Sequence, residues 1–177
     1  TSGILLHEDS LENFFSLQIQ PPQAISEEDI PRREYLFVVD VSGSMRGFPI
    51  ETSKTLLEEL LSGLRPGDVF NVVLFEFSSK KLFKTSVPAN RLNINKAISL
   101  LRDRNGMGGT NLLQTMSSVY EDLAPSEVSR SIIIITDGFI DVEKSVFKMI
   151  RDNLNLANVF AFGIGESVNR LLIEGIA

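Results

Sequence analysis

The chain has 177 residues, of which 43% are hydrophobic and 23% charged, a balance typical of a folded globular domain rather than a disordered segment. Its net charge of −6 and the absence of a long basic run argue against nucleic acid or an anionic membrane surface as a partner. The lack of cysteine excludes disulfides, thiolate metal sites and cysteine nucleophiles.

The first 33 residues differ in pattern from the rest and are expected to form an N-terminal extension with one strand and a linker. Residues 14–20 (FFSLQIQ) alternate apolar and polar side chains, which is typical of a half-buried strand. Pro21 and Pro22 end this strand, because proline has no N–H to donate to a β-ladder. Residues 34–177 are expected to form the main domain.

From Tyr35 onward, predicted strands and helices alternate along the chain. Apolar runs predict strands at 35–41, 69–77, 80–87, 131–137 and 159–165. Apolar residues at helical spacing predict helices around 56–64, 94–101, 112–123, 142–150 and 171–173, with Asp141 and Ser167 as N-caps of the last two. The third strand follows the second too closely for a crossover helix and should be antiparallel. The alternation predicts a doubly wound, mainly parallel α/β sheet with helices on both faces.

Oxygen-bearing side chains follow two of these strands and one glycine-rich loop. In doubly wound sheets, ligands bind outside the carboxyl ends of the strands, where the strand order reverses. If the first and fourth strands of the domain are neighbours, five side chains converge there. They are Asp40, Ser42 and Ser44 after the first strand, Thr110 in the loop GMGGTN, and Asp137 after the fourth strand.

This set of donors suits a hard cation such as Mg²⁺, which takes oxygen ligands at about 2.0–2.1 Å and usually keeps waters. Two carboxylates nearly balance a divalent ion, and neutral hydroxyls leave it electrophilic. An open coordination position could then accept an oxygen from outside the domain.

Each part of the pattern also has a structural interpretation. Asp40, Ser42 and Ser44 could only shape a turn, and Asp137 could be a turn residue before a glycine. Thr110 could be the N-cap of the following helix. The glycine loop lacks the Gly-Lys-Ser/Thr ending of a phosphate-binding P-loop.

The motifs DVSGSM, GGTN and TDG, in this order and at these separations, resemble the von Willebrand factor type A domain with its metal-ion-dependent adhesion site. The resemblance covers Arg33 to Ala177. It implies a Rossmann-like sheet of strand order 3-2-1-4-5 with strand 3 antiparallel, and the family's last strand is expected to be missing. It also assigns the five residues above to the metal site. The implied ion is Mg²⁺, sometimes Mn²⁺ or Ca²⁺, with a Glu or Asp carboxylate of a protein partner completing its coordination.

A narrower resemblance comes from FFSLQIQPP followed by REYLFVVDVSGSM. This arrangement is similar to proteins in which such a domain follows an inter-alpha-trypsin-inhibitor-type (VIT) module, including the inter-alpha-trypsin inhibitor heavy chains and many bacterial secreted or surface proteins. The bacterial branch is favoured. The resemblance implies a monomeric domain of a larger protein that is secreted, on the cell surface or membrane-anchored.

These patterns predict a non-enzymatic, metal-dependent adhesion or interaction module. The candidate partner contacts are Arg46, Phe48, Met107 and Phe139, which could equally be ordinary loop residues. Two alternatives stay open: a scaffold with a passive ion and a metal-assisted hydrolase. The hydrolase is disfavoured because the single histidine, His7, lies in the N-terminal extension. No apolar run approaches the roughly 20 residues of a membrane helix, so insertion into a membrane is not expected.

Overall fold

The computed structural model describes residues 3–8, 12–20, 30–123, 128–138, 143–165 and 168–176. The chain divides into two compact units, Thr1–Pro31 and Arg32–Ala177. Within the described ranges, none of the helices combines the length and apolar character needed to cross a bilayer.

The first unit contains an antiparallel hairpin of β1 (Gly3–Glu8) and β2 (Asn13–Gln18). The apolar–polar alternation predicts β2, whereas the sequence of β1, GILLHE, lacks that pattern and gives no such signal. The prediction of a half-buried strand is wrong, because the side chains of Phe15, Leu17 and Ile19 are exposed. The described part of this unit therefore has two strands where one was predicted.

The second unit is built on one six-stranded sheet. Four parallel strands form most of it: β3 (Arg33–Asp40), β4 (Val69–Phe75), β7 (Ser129–Thr136) and β8 (Asn158–Gly163). The strand order is β5-β4-β3-β7-β8, and β5 (Ser79–Lys81) and β6 (Val87–Pro88) both pair antiparallel with β4. This confirms the predicted strand order and the antiparallel third strand.

The single strand predicted at 80–87 is two short strands in the structure. The side chain of Asn71 explains the break, because it bonds to the main chain of Phe83 in place of a regular ladder. Its Nδ2 donates to the Phe83 carbonyl at 2.8 Å, and its Oδ1 accepts from the Phe83 N–H at 3.1 Å. A side chain thus satisfies the backbone groups that a continuous strand would have paired.

In the described part of this unit, five helices cover the two faces of the sheet. They are α1 (Phe48–Ser62), α2 (Arg91–Arg102), α3 (Leu112–Glu121), α4 (Glu143–Asp152) and α5 (Arg170–Ile176). The side chain of Asn90 caps α2, accepting from the backbone of Asn93. At α5, Asn169 accepts from the Leu172 N–H at 3.2 Å. The predicted caps Asp141 and Ser167 lie outside the described residues.

The core has two layers, one on each side of the sheet. Leu36 and Val38 of β3 pack with α3, α4 and α5, while Phe37 and Val39 pack with α1 and α2. Burial on both faces explains why β3 reads as a continuous apolar run. Each such side chain contributes about 1.5–3 kcal/mol through removal from water. This rigid sheet fixes the positions of the loops at its carboxyl edge.

Candidate metal centre

The candidate site lies where β3 and β7 end side by side. The two strands are parallel, with Val39 opposite Ile135, so Asp40 lies beside Thr136 and Asp137 follows at once. The chain crosses from β3 towards β4 on one side and reaches β7 on the other. Strand order therefore reverses at this point, which is where doubly wound sheets bind ligands.

Asp40 is a fully buried carboxylate held at both oxygens. Its Oδ1 accepts from the Ser42 N–H at 2.9 Å, and its Oδ2 accepts from the Thr136 hydroxyl at 2.6 Å. Burial raises the pKa of Asp40, hydrogen bonds from Thr136 and Ser42 oppose that rise, and the charge of Asp137 adds to it. No Lys, Arg or His in the described part of the chain pairs with Asp40. A cation beside it would offset the cost of its burial.

Ser44 lies in a single 3₁₀ turn, Gly43–Met45, and Ser42 is the residue directly before it. Their hydroxyl oxygens are 3.1 Å apart, so the two side chains point to the same spot. Ser42 precedes the turn, but its side chain makes no capping hydrogen bond. Capping therefore does not account for its buried hydroxyl.

The glycine-rich loop packs against this turn through its backbone. The Gly43 N–H donates to the Gly108 carbonyl at 2.9 Å. Gly106 and Gly108 have positive φ of 73° and 84°, which side chains rarely adopt. A Cβ on Gly106 would lie 2.8 Å from the Arg46 nitrogen. Only glycine allows the loop to approach the serine turn this closely.

Thr110 is not the N-cap of α3, so that structural interpretation is wrong. The N-cap is Asn111, whose Oδ1 accepts from the Gln114 N–H at 3.1 Å. The half-buried Thr110 hydroxyl has no hydrogen-bond partner among the described residues. Its position one residue before the cap leaves the hydroxyl available to a ligand.

Asp137 is partly exposed and begins the turn after β7. Its carbonyl accepts from the Asn169 N–H at 3.2 Å, and the next residue, Gly138, has φ of 80°. The Gly138 N–H donates to the Thr136 hydroxyl at 3.0 Å. Asp137 thus shapes a turn, as its structural interpretation holds, and also places a second negative charge near Asp40.

The residues present fit a hard divalent cation. Elsewhere in the described residues, no group of three or more His, Cys, Asp or Glu side chains could hold a metal. The set itself consists of two carboxylates and three hydroxyls. Nitrogen and sulfur ligands preferred by zinc are therefore missing from this set, whereas oxygen ligands suit Mg²⁺, Mn²⁺ or Ca²⁺. Thr136 is the residue that sequence reasoning missed. In the sequence, Thr136 is marked only by its place between a run of isoleucines and an aspartate.

Three of the four predicted partner contacts lie on or directly after the loops that carry these donors. Arg46, Phe48 and Met107 are exposed, and Phe139 lies outside the described residues. Phe77, in the loop after β4, is also exposed and was not predicted.

The profile of the von Willebrand factor type A domain matches residues 33–177. The chain belongs to this family. A von Willebrand factor A domain-containing protein of Dictyostelium discoideum is 32% identical over 165 residues, which are 92% of this chain and 18% of that protein. Human inter-alpha-trypsin inhibitor heavy chain H4 is 29% identical over 180 residues, 94% of this chain and 19% of that protein. The chain spans less than a fifth of either relative.

Solved structures show the same fold. A von Willebrand factor type A protein from Catenulispora acidiphila superposes with a TM-score of 0.68 at 19% identity, covering 82% of this chain and 37% of that one. The manganese-loaded TRAP protein of Plasmodium vivax gives 0.66 at 20% identity, covering 83% and 63%. The predicted α/β fold and family are confirmed. Von Willebrand factor type A domains generally mediate protein–protein interaction, often as metal-dependent adhesion. A preceding VIT module and a bacterial origin stay predictions.

Proposed function

We propose that this von Willebrand factor type A domain is a non-enzymatic module that binds a protein partner through one divalent cation. Mg²⁺ is the first candidate, with Mn²⁺ and Ca²⁺ as substitutes. The residues that would hold it are Asp40, Ser42, Ser44, Thr110 and Asp137. One observation carries the proposal: a buried carboxylate fixed at both oxygens lies beside a second carboxylate, and the hydroxyls around it have no capping role.

The ion would supply an electrophilic position at which a Glu or Asp oxygen of the partner replaces a water. Asp40 and Asp137 together balance its charge, so an incoming acid meets little net repulsion at the site. The chain has a net charge of −6, so the rest of its surface does not favour the binding of acidic side chains. The ion would therefore decide where an acidic side chain binds. A structural neighbour solved as manganese-loaded supports this choice of ligand chemistry.

An enzymatic function has less support. Residues 32–177 contain no histidine, and no lysine adjoins any of the three motifs. The two aspartates that could act as general bases are the ones assigned to the ion. A scaffold with a passive ion is the second candidate, and only a partner-binding test separates it from the proposal.

Calorimetric titration of the chain with Mn²⁺ tests the metal site. Asp40→Ala should abolish the binding heat while leaving the circular dichroism spectrum unchanged, because it removes a ligand and a buried charge together. Asp103→Ala, an exposed C-cap change on α2, is the matched control and should bind Mn²⁺ like the unchanged chain. Equal affinity in Asp40→Ala would show that the site is wrong.

Water-proton relaxation tests the open coordination position. Mn²⁺ that keeps exchangeable waters enhances relaxation, and a short peptide containing Glu should lower this enhancement by displacing one of them. The same peptide with Gln in place of Glu should leave it unchanged. A response to neither peptide would favour a passive ion.

A further inference from the structure

We propose that the partner's acidic residue is flanked by apolar side chains, which dock on an apolar rim formed by Phe48, Phe77 and Met107. This inference rests on the proposed metal-dependent binding of a carboxylate, and it names the class of segment that the site accepts. The apolar rim is built from three separate loops: the start of α1, the turn after β4, and the glycine-rich loop.

All three side chains stand in solvent. Phe48 is 68% exposed, Phe77 73% and Met107 72%. A single exposed apolar side chain is ordinary on a protein surface. These three are among eight large apolar side chains that are exposed in the described part of residues 32–177, and they lie on the loops that carry or adjoin the metal donors. Exposed apolar patches mark interaction sites.

Phe77 lies directly on the loop that carries Thr110. A Cβ added to Gly109 would overlap the Phe77 ring, and one added to Gly108 would lie 3.2 Å from it. The Glu76 N–H donates to the Ser78 carbonyl at 3.1 Å, which folds a tight turn with Phe77 at its tip. The ring thus has one face on the loop and the rest in solvent.

Met107 is held by its backbone alone. Its N–H donates to the Val41 carbonyl at 3.0 Å, and the positive φ of Gly106 and Gly108 fixes the chain on either side. The side chain itself is mostly exposed to solvent. A fixed backbone with a flexible thioether suits a surface that adapts to its partner.

Phe48 joins the same surface through the serine turn. Gly106 approaches the backbone of Arg46 so closely that a Cβ would lie 2.8 Å away, which brings the start of α1 beside the Met107 loop. Gly47, with φ of 84°, then directs the chain into α1 at Phe48. Phe77 thus packs on the glycine-rich loop, Met107 lies within it, and Phe48 follows two residues after the Arg46 backbone that this loop approaches.

Beside Phe77, the nearest charge disfavours additional acids. The carboxylate of Glu76 lies against Gly108, beside Phe77, and disfavours a second acid there. Anchors whose backbones are fixed before binding lose little conformational entropy when a partner covers them. Covering each should contribute on the order of a tenfold gain in affinity, as buried apolar anchors do in interfaces.

A displayed peptide library tests the apolar rim directly. The library fixes a central Glu, randomises three residues on each side, and is selected on the immobilised chain with Mn²⁺ and eluted with EDTA. Apolar residues next to the Glu should be enriched over the input library. One selected peptide is then synthesised, together with a version whose flanks are Ser and a version whose Glu is Gln.

The variants Phe77→Ser and Phe48→Ser should each bind the selected peptide about tenfold more weakly. Phe77→Leu should retain most of the affinity, and all three should bind Mn²⁺ like the unchanged chain. Leu92→Ser removes a side chain that is 78% exposed on α2, away from the strand ends, and should change nothing.

The outcomes separate this inference from the proposed function. Equal binding of the Ser-flanked peptide, or equal affinity in Phe77→Ser and Leu92→Ser, would overturn the apolar rim while metal-dependent binding stands. Equal, EDTA-resistant binding of the Gln version would instead overturn the proposed function. Recovery of no EDTA-eluted peptide counts against the apolar rim if Mn²⁺ still binds, and against the metal site if it does not.

Discussion

At the scale of single residues, the site depends on how one buried carboxylate is held. Oδ1 of Asp40 accepts a hydrogen bond from the Ser42 N–H, and Oδ2 accepts one from the Thr136 hydroxyl. The orientation of the carboxylate is therefore set before any ion binds. Partners of metal ligands typically change metal affinity by about 10–100-fold when removed. Because its hydroxyl donates to the proposed ligand Asp40, Thr136 is proposed here as a positioning residue.

Thr136→Val should weaken Mn²⁺ binding by about tenfold or more, because the isosteric methyl cannot donate to Asp40. Thr136→Ser keeps the hydroxyl and should restore most of the affinity. The measurement is calorimetric titration of each variant. If Val and Ser variants bind Mn²⁺ equally well, the hydrogen bond does not position the ligand.

Tyr120 is a buried residue whose hydroxyl has no hydrogen-bond partner in the described part of the chain. Burial raises its pKa to about 12. In the unfolded chain this phenol loses its proton near pH 10. Titration of this group therefore leaves stability unchanged below pH 10 and lowers it as pH rises from there towards 12, since only the unfolded state releases the proton.

Tyr120→Phe should raise the free energy of unfolding by about 1 kcal/mol at pH 8, since it removes an unpaired polar group. It should also reduce the loss of stability between pH 9 and pH 11. Urea denaturation at each pH measures both effects. Tyr35→Phe is the control, because the partly buried Tyr35 hydroxyl accepts from Arg33 at 3.4 Å. A Tyr120 variant as pH-sensitive as the unchanged chain would contradict the assignment.

At the scale of elements, the site depends on two loops that meet through glycine. The left-handed conformation of Gly106 and its contact with Arg46 leave no room for a side chain. Gly67, in the connection before β4, has open space around its Cβ position and no positive φ. Comparing alanine substitutions at Gly106 and Gly67 therefore separates the effect of the loop contact from the general effect of replacing a glycine.

Gly106→Ala should lower the free energy of unfolding by about 2 kcal/mol or more, from backbone strain and overpacking. It should also weaken Mn²⁺ binding, since it moves the loop that carries Thr110. Gly67→Ala should change stability by less than about 1 kcal/mol and leave metal affinity intact. Denaturant titration and calorimetry measure the two quantities. Similar results for both variants would mean that the loop contact does not matter.

Local pattern predicts most of this fold because three of the parallel strands, β3, β4 and β7, are buried on both faces and the helices on one. It fails where a distant group decides the structure. Asn71 interrupts a predicted strand by bonding to Phe83, and Asn111 rather than Thr110 takes the cap of α3. The site's carboxylates and hydroxyls are visible in the sequence because they follow strand ends or, for Thr110, a run of glycines before a helix. Thr136 and Phe77 are not, since their roles come from neighbours on other elements.

At the scale of the whole molecule, metal binding should raise the free energy of unfolding of the unit that contains the site. Residues 32–177 hold all five donors, and the hairpin lies in the other compact unit. An ion bound by the folded state alone stabilises that state by mass action, by about 2.7 kcal/mol at a concentration 100 times its Kd. For a unit of this size, each kcal/mol raises the melting temperature by about 2–4 °C.

Mn²⁺ at 100 times its Kd should therefore raise the melting temperature of the chain by about 5–10 °C in a thermal denaturation scan followed by circular dichroism. Asp40→Ala should show no rise, because the folded state then gains nothing from the ion. Asp103→Ala should shift like the unchanged chain, which controls for nonspecific effects of lost charge. An equal shift in Asp40→Ala would place the ion elsewhere on the molecule, since a site that does not need the buried carboxylate cannot be the one at the ends of β3 and β7.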